Sequence, residues 1–136
     1  MKDIIADSNV FIASLIERDP FHAKGVELIN KMNDKEYLFH ISVIVPIEVS
    51  CSIARKVGGE EANEAIDIME NWTKESKIKV HILNRKRMKE AEKYGTLFKL
   101  KGMDAIIVQL AIELELPLAT FDSEIRERAT KVEFLK

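Results

Sequence analysis

The chain has 136 residues, 46% hydrophobic and 32% charged, with 21 Lys and Arg against 23 Asp and Glu, one Cys and a net charge of −2. That length fits one domain spanning residues 1–136, the apolar fraction excludes a disordered chain, and the solitary Cys51 excludes an internal disulfide. With no basic leader ahead of a cleavable apolar run, and no stretch near the roughly 20 apolar residues that span a bilayer, the expectation is a cytoplasmic protein with no membrane partner.

In chain order, Asp3-Ile4-Ile5-Ala6 is a short apolar run that stops at Asp7-Ser8-Asn9, residues suited to turns and helix N-caps. Strand, cap and helix follow, the helix carrying Val10, Phe11, Ser14 and Leu15 and ending near Asp19-Pro20. A second helix has Val26, Ile29 and Met32 at three-residue steps. The first half of Tyr37 to Val45 is rich in β-branched and aromatic residues and reads as a strand; Pro46 opens a helix to about Lys56, closed by Gly58-Gly59. From Glu60, Ala62, Ala65, Ile66, Met69 and Trp72 mark an amphipathic helix. Lys79 to Leu83 is a strand, and Arg85 to Lys101 a basic helix loosened near Gly95 and Gly102. Asp104 opens a helix apolar almost all round, broken by Pro117. Leu118 to Phe121 is a strand, Ser123 to Ala129 a short helix, and Val132 to Leu135 a last strand. Strands separated by helices imply βαβ units, hence an α/β fold: a three-layer α/β/α sandwich with a mostly parallel sheet.

Ligand sites of open α/β sheets form beyond the carboxyl ends of the strands. Asp7 ends the first strand, Asp122 follows the strand at Leu118, Asp104 opens the buried helix, and Glu48 sits in the first turn after Pro46. Four carboxylates from four segments thus fall at strand exits or helix N-terminal turns. Gathered acids repel one another unless protonated or neutralised by a cation. All-oxygen donors with no Cys or His beside them select Mg²⁺ or Mn²⁺, one or two ions, over Zn²⁺. The chemistry implied is metal-assisted phosphodiester hydrolysis. Taken singly, an Asp at such a place is more often an ordinary helix cap; the weight lies in the set of four.

The runs Ile5 to Phe11, Ser42 to Val49, Gly102-Met103-Asp104-Ala105 and Ala119-Thr120-Phe121-Asp122 resemble, in order, the four signature segments of PIN-domain nucleases. The resemblance covers the whole chain and is greatest to single-domain VapC-type ribonucleases of toxin–antitoxin pairs. It implies a metal-binding and catalytic centre of Asp7, Glu48, Asp104 and Asp122, with Ser8 and Thr120 as supporting hydroxyls. It also implies an RNA substrate, a homodimer and a VapB-type antitoxin partner. A housekeeping RNA-processing nuclease would use the same residues, and a non-catalytic RNA- or partner-binding module of the same fold would be expected to have lost acids. Glu124 falls where some members carry a further acid, but reads as a solvated helix-face residue.

The segment from Arg85 to Lys101 holds seven basic residues against Glu90 and Glu92, so it carries +5 and leaves −7 for the remainder. Arg85, Lys86, Arg87, Lys99 and Lys101, with Arg55 beyond Glu48, are candidate contacts for RNA phosphates, although a lysine-rich helix is as readily a solvated face. His22, His40 and His81 lack metal-ligand spacing and read as packed or capping residues. Cys51 reads as a small buried side chain, and Phe11, Ile12, Leu15 and Ile16 as core with an apolar remainder for a partner. A phosphoreceiver domain would need an acidic pair at the first strand and a late Lys, and a haloacid-dehalogenase-like phosphatase an Asp-x-Asp; Asp7-Ser8-Asn9 supplies neither.

Overall fold

The computed structural model describes residues 1–136. Four strands, β1 (Lys2–Ala6), β2 (Tyr37–Ser42), β3 (Ile78–His81) and β4 (Leu118–Ala119), form one sheet in the order β3-β2-β1-β4. Every pairing is parallel, with Ile4 opposite Phe39, Phe39 opposite Ile78 and Ile5 opposite Leu118. Seven helices complete the chain: α1 (Ser8–Leu15), α2 (His22–Asn33), α3 (Val45–Lys56), α4 (Gly59–Lys74), α5 (Arg85–Phe98), α6 (Gly102–Leu114) and α7 (Ser123–Arg128).

The sheet is buried because its central strands are apolar on both faces: Ile4, Ile5, Ala6, Phe39 and Ile41 have no measurable exposure. On one side Phe11 of α1 meets the ring of Phe39 edge-on at 5.8 Å and lies 6.2 Å from Trp72 of α4. On the other, α5 packs on α6, and α6 packs on β1 and β2. Ile107, Val108, Leu110 and Ala111 of α6 are buried, which is why that helix is apolar almost all round. Two glycines mark close approaches. A Cβ on Gly25 would stand 2.8 Å from the Ser14 nitrogen, so α2 can press on α1 only without a side chain there; one on Gly95 would stand 2.9 Å from the Ala105 Cβ, at the α5–α6 contact.

Several expectations are corrected. The last strand is a single bridge, Phe134 with Leu118, because β4 pairs over only two residues with β1 and offers no longer edge. β3 stops at His81 and leaves Ile82 66% exposed. Gly95 lies inside α5 rather than in a loosened stretch, and α5 ends at Phe98 with Lys99 in the left-handed conformation (φ 57°). Ile66 is exposed, since Ala62, Ala65 and Met69 take the buried stripe of α4. Cys51 is exposed rather than packed, because α3 turns Val49 and Ile53 to the core. Phe11, Ile12 and Ile16 are all core and Leu15 packs against it, so α1 has no spare apolar face.

Candidate metal centre

The site is built where β1 and β4 end side by side. Asp7 follows β1 and is the N-cap of α1; Thr120 and Asp122 follow β4, Asp122 as the N-cap of α7. Asp104 lies in the first turn of α6 and Glu48 in the first turn of α3. Helix N-termini carry partial positive charge and favour carboxylates, so local electrostatics and chain topology place the four acids at one end of the sheet.

Asp7 is the most constrained. It is 4% exposed, and its Oδ1 accepts from the Ser8 N–H at 2.7 Å. Its Oδ2 accepts from the Thr120 hydroxyl at 2.8 Å and from Asn9 Nδ2 at 3.2 Å. Thr120 is itself a junction. Its hydroxyl oxygen accepts from Asn9 Nδ2 at 3.1 Å and from the Asp122 N–H at 3.1 Å. Asp122 Oδ1 then accepts from the Glu124 N–H at 2.8 Å and the Ile125 N–H at 3.3 Å. The Ser8 hydroxyl is 3.4 Å from Asp7 Oδ1, a long contact, and also reaches Glu48; its single proton serves one carboxylate at a time.

Burial pushes the Asp7 carboxyl up to about 6 against the Thr120 and Ser8 hydrogen bonds, with the charges of Glu48 and Asp122 adding to the rise. Asp104 is likewise pushed up to about 6, by burial first and then by Asp7 and Asp122, while Lys101 opposes. Glu48 is raised by burial and by Asp104, against the Ser8 hydroxyl. Each acid therefore lies in the field of at least one other. No three His, Cys, Asp or Glu side chains stand close enough to enclose an ion as they are placed. Mg²⁺ typically takes one or two direct carboxylates with waters completing the shell, so an all-oxygen set with unneutralised charge fits a hydrated hard cation.

Sequence reasoning missed the role of Asn9. Its amide ties Asp7 to Thr120, and its Oδ1 accepts from the Phe121 N–H at 3.2 Å; an Asn directly after Asp7-Ser8 was the available signal. Glu124 is partly exposed on α7, its Oε1 pairing with Arg128 at 3.2 Å, and its charge adds the least of the neighbouring contributions to the rise of Asp104. Among the basic candidates, Lys101 stands beside Asp104. Arg87 is engaged elsewhere, by Glu113 at 2.9 Å and by the Ile82 carbonyl at 2.8 Å. Arg55 is exposed in the last turn of α3, while Arg85 and Lys86 are exposed in the first turn of α5. Lys99 is exposed just beyond α5, its carbonyl accepting from Arg128 at 2.6 Å. Away from the acids, His40 joins Asp3 at 2.8 Å and His81 at 2.9 Å, a packed polar chain across three strands.

Comparison with known proteins agrees with this architecture. The family model of the PIN domain matches residues 4–131. Among solved structures, the chain is similar to the sarcin-ricin loop cleaving toxin VapC20 of Mycobacterium tuberculosis, with TM-score 0.78 and 16% identity over 91% of this chain and 93% of that one. It is similar to VapBC2 of Rickettsia felis bound to a promoter DNA fragment, with TM-score 0.71 and 15% identity over 98% and 97%. FitAcB of Neisseria gonorrhoeae gives TM-score 0.68 and 17% identity over 97% and 96%. At such identities the likeness is one of fold. No curated protein matches.

Proposed function

Because this chain belongs to the PIN domain family, we propose that it is a divalent-metal-dependent endoribonuclease, cutting RNA phosphodiester bonds at Asp7, Glu48, Asp104 and Asp122. The observation that carries this reading is the state of the acids: an almost fully buried Asp7 and a half-buried Asp104, both pushed up to about 6 by burial first and then by neighbouring carboxylates, Glu48 and Asp122 for Asp7, Asp7 and Asp122 for Asp104. Such a centre is strained as an anion cluster and relieved by a hard cation. The four carboxylates would hold Mg²⁺ or Mn²⁺, and when bound such an ion lowers the pKa of an attacking water and neutralises phosphate charge.

The chain's own groups do the rest. Ser8, Asn9 and Thr120 lock the Asp7 carboxylate before substrate arrives. Glu48 and Asp104, both raised by burial and by neighbouring carboxylates, are groups whose ionised form a bound cation would favour. Lys101, beside Asp104, offers a positive charge to a phosphate that the acids alone would repel.

The narrower reading is the toxin of a VapBC-type toxin–antitoxin pair. Its support is the whole-length similarity to structures described as VapBC2, FitAcB and a sarcin-ricin loop cleaving toxin. A homodimer and an antitoxin partner belong to that reading, with molar mass by light scattering as the test of the first. The enzymatic reading is tested by incubating the full chain with RNA and Mg²⁺ or Mn²⁺. Asp7→Asn, Asp104→Asn or chelator should each reduce cleavage at least a hundredfold while circular dichroism is unchanged. Undiminished cleavage by Asp7→Asn overturns the mechanism. Sequencing the ends of cellular RNAs after expression of both proteins identifies the target.

A further inference from the structure

Asp122 reaches the centre from α7 and Asp104 from α6, two helices with little to hold them in register. α7 is short, Ser123–Arg128, and is docked on the core by Ile125 and by Ala129 just beyond it, both fully buried. Neither α5 nor α6 packs extensively on it. Two arginines of α7 supply longer ties. Arg126 Nε donates to the Thr120 carbonyl at 3.3 Å, at the exit of β4. Arg128 Nη1 donates at 2.6 Å to the Lys99 carbonyl, and the same nitrogen stands 3.2 Å from Glu124 Oε1. Lys99 is the left-handed residue (φ 57°) at which the chain leaves α5, a conformation that a side chain disfavours. Lys101 then opens α6 without any side-chain cap, and Asp104 follows in the first turn. The link that delivers Asp104 is therefore weakly specified by its own residues, while Arg128 grips it with a charge-assisted hydrogen bond, one of the stronger kinds.

We propose that Arg128 is a positioning residue of the metal centre: by tying α7 to the turn ahead of α6, it fixes the separation of Asp122 from Asp104. The proposal rests on the metal-dependent reading above and assigns a role to a side chain that bonds neither carboxylate. A small hard cation demands near-ideal placement of its oxygens, and donors are productive only within about 0.5 Å of that placement. Slack between the two helices is thus felt as lost affinity. The sign of the effect separates position from charge. Arg128 neutralises Glu124, whose charge is felt at Asp104, so by charge alone its removal would leave the centre more negative and draw a cation more tightly. Positioning requires the opposite. Because one nitrogen makes both contacts, a lysine ammonium with its three donors can stand in for it. A natural control is Lys131, whose Nζ lies 5.9 Å from the Tyr94 ring centroid. It is a cation joining the chain after α7 to the body of α5, not to the turn ahead of Asp104.

The test strips metal from the full chain and measures Mn²⁺ affinity by calorimetry for wild type, Arg128→Gln, Arg128→Lys and Lys131→Gln. Arg128→Gln should weaken Mn²⁺ about tenfold, the lower end of what losing a contact behind the ligands costs. Arg128→Lys should restore most of that loss, and Lys131→Gln should match wild type. Arg128 is half exposed, and Ile125 and Ala129 still dock α7, so circular dichroism should not change. In metal-free protein, amide hydrogen exchange over Leu100 to Ala105 should quicken in Arg128→Gln and stay as in wild type over Ile4 to Ala6. With RNA and limiting Mn²⁺, kcat should fall while KM for RNA holds. Equal or tighter Mn²⁺ binding by Arg128→Gln refutes the positioning role. Lower thermal stability with unchanged affinity also refutes it, since the contact then serves the fold alone, as do equal losses in Arg128→Gln and Lys131→Gln. If wild type itself neither binds Mn²⁺ nor cuts RNA, the nuclease reading falls and takes the role of Arg128 with it.

Discussion

Asp7→Asn is the perturbation whose consequence is most directly computable. A native carboxyl that titrates at about 6 instead of 3.8 holds its proton more tightly folded than unfolded. The native state therefore binds more protons between those pH values, and stability falls as pH rises through them and stays lower above. At about 1.4 kcal/mol per pH unit, the loss is roughly 3 kcal/mol. Asparagine carries no charge at any pH and removes that fall. Its NH₂ also faces the Thr120 and Asn9 donors, which lowers stability by an offset of about 1–3 kcal/mol that does not vary with pH. Asp104 titrates in the same window and is raised partly by Asp7, so the informative quantity is the difference between the two proteins. Urea unfolding in chelator at pH 4, 5, 6, 7 and 8 measures it. Wild type should lose about 3 kcal/mol relative to Asp7→Asn from the acid to the alkaline end. Added Mn²⁺ at pH 8 should restore most of that to wild type and little to the variant. A difference flat to within about 0.5 kcal/mol, well below the linkage expectation, would refute the claim that Asp7 is a destabilised buried anion.

The other consequences follow from the same geometry. Protons compete with metal at Asp7 and Asp104, both near 6, so Mn²⁺ affinity by calorimetry should fall steeply from pH 7.5 to pH 5.5 and cleavage should fall with it. Asn9→Ala removes three hydrogen bonds that link Asp7, Thr120 and Phe121; thermal unfolding should show a loss of about 1–3 kcal/mol, and the cleavage rate should drop more than the affinity for RNA. Gly25→Ala places a methyl 2.8 Å from the Ser14 nitrogen and should cost about 1–3 kcal/mol by denaturant titration, the usual range for overpacking. Cys51→Ser, at an exposed position on α3, should shift stability by less than about 0.5 kcal/mol and leave cleavage unchanged.

The readable elements were those whose pattern is strong over short range. The alternation of apolar runs with helical stripes was enough for a parallel α/β/α sandwich, and every strand except the last exists with boundaries shifted by a residue or two. Val132 to Leu135 failed because β-propensity describes a surface that suits pairing, while the pairing itself depends on how much edge β4 presents. Cys51 and Ile66 failed for a related reason: small or apolar residues near a stripe look alike in sequence, and only the crossing of α3 and α4 decides which faces inward.

The sequence by itself determined the inventory of the candidate centre, Asp7, Glu48, Asp104 and Asp122 at strand ends and helix starts, because cap preference and strand termination are local effects. Tertiary structure decided what those acids experience. Burial that raises Asp7 and Asp104, the Thr120 hydroxyl reaching Asp7 across 113 positions of sequence, and the Phe21–Phe121 stack all depend on β1 and β4 lying side by side. The +5 segment that dominates the sequence has Arg87 paired with Glu113, whereas Lys24, Lys31, Arg126 and Lys136 line one cleft assembled from α2, α7 and the chain beyond. Charge summed along a chain and charge summed across a cleft are different quantities, since Coulomb interactions follow distance in space rather than separation in sequence.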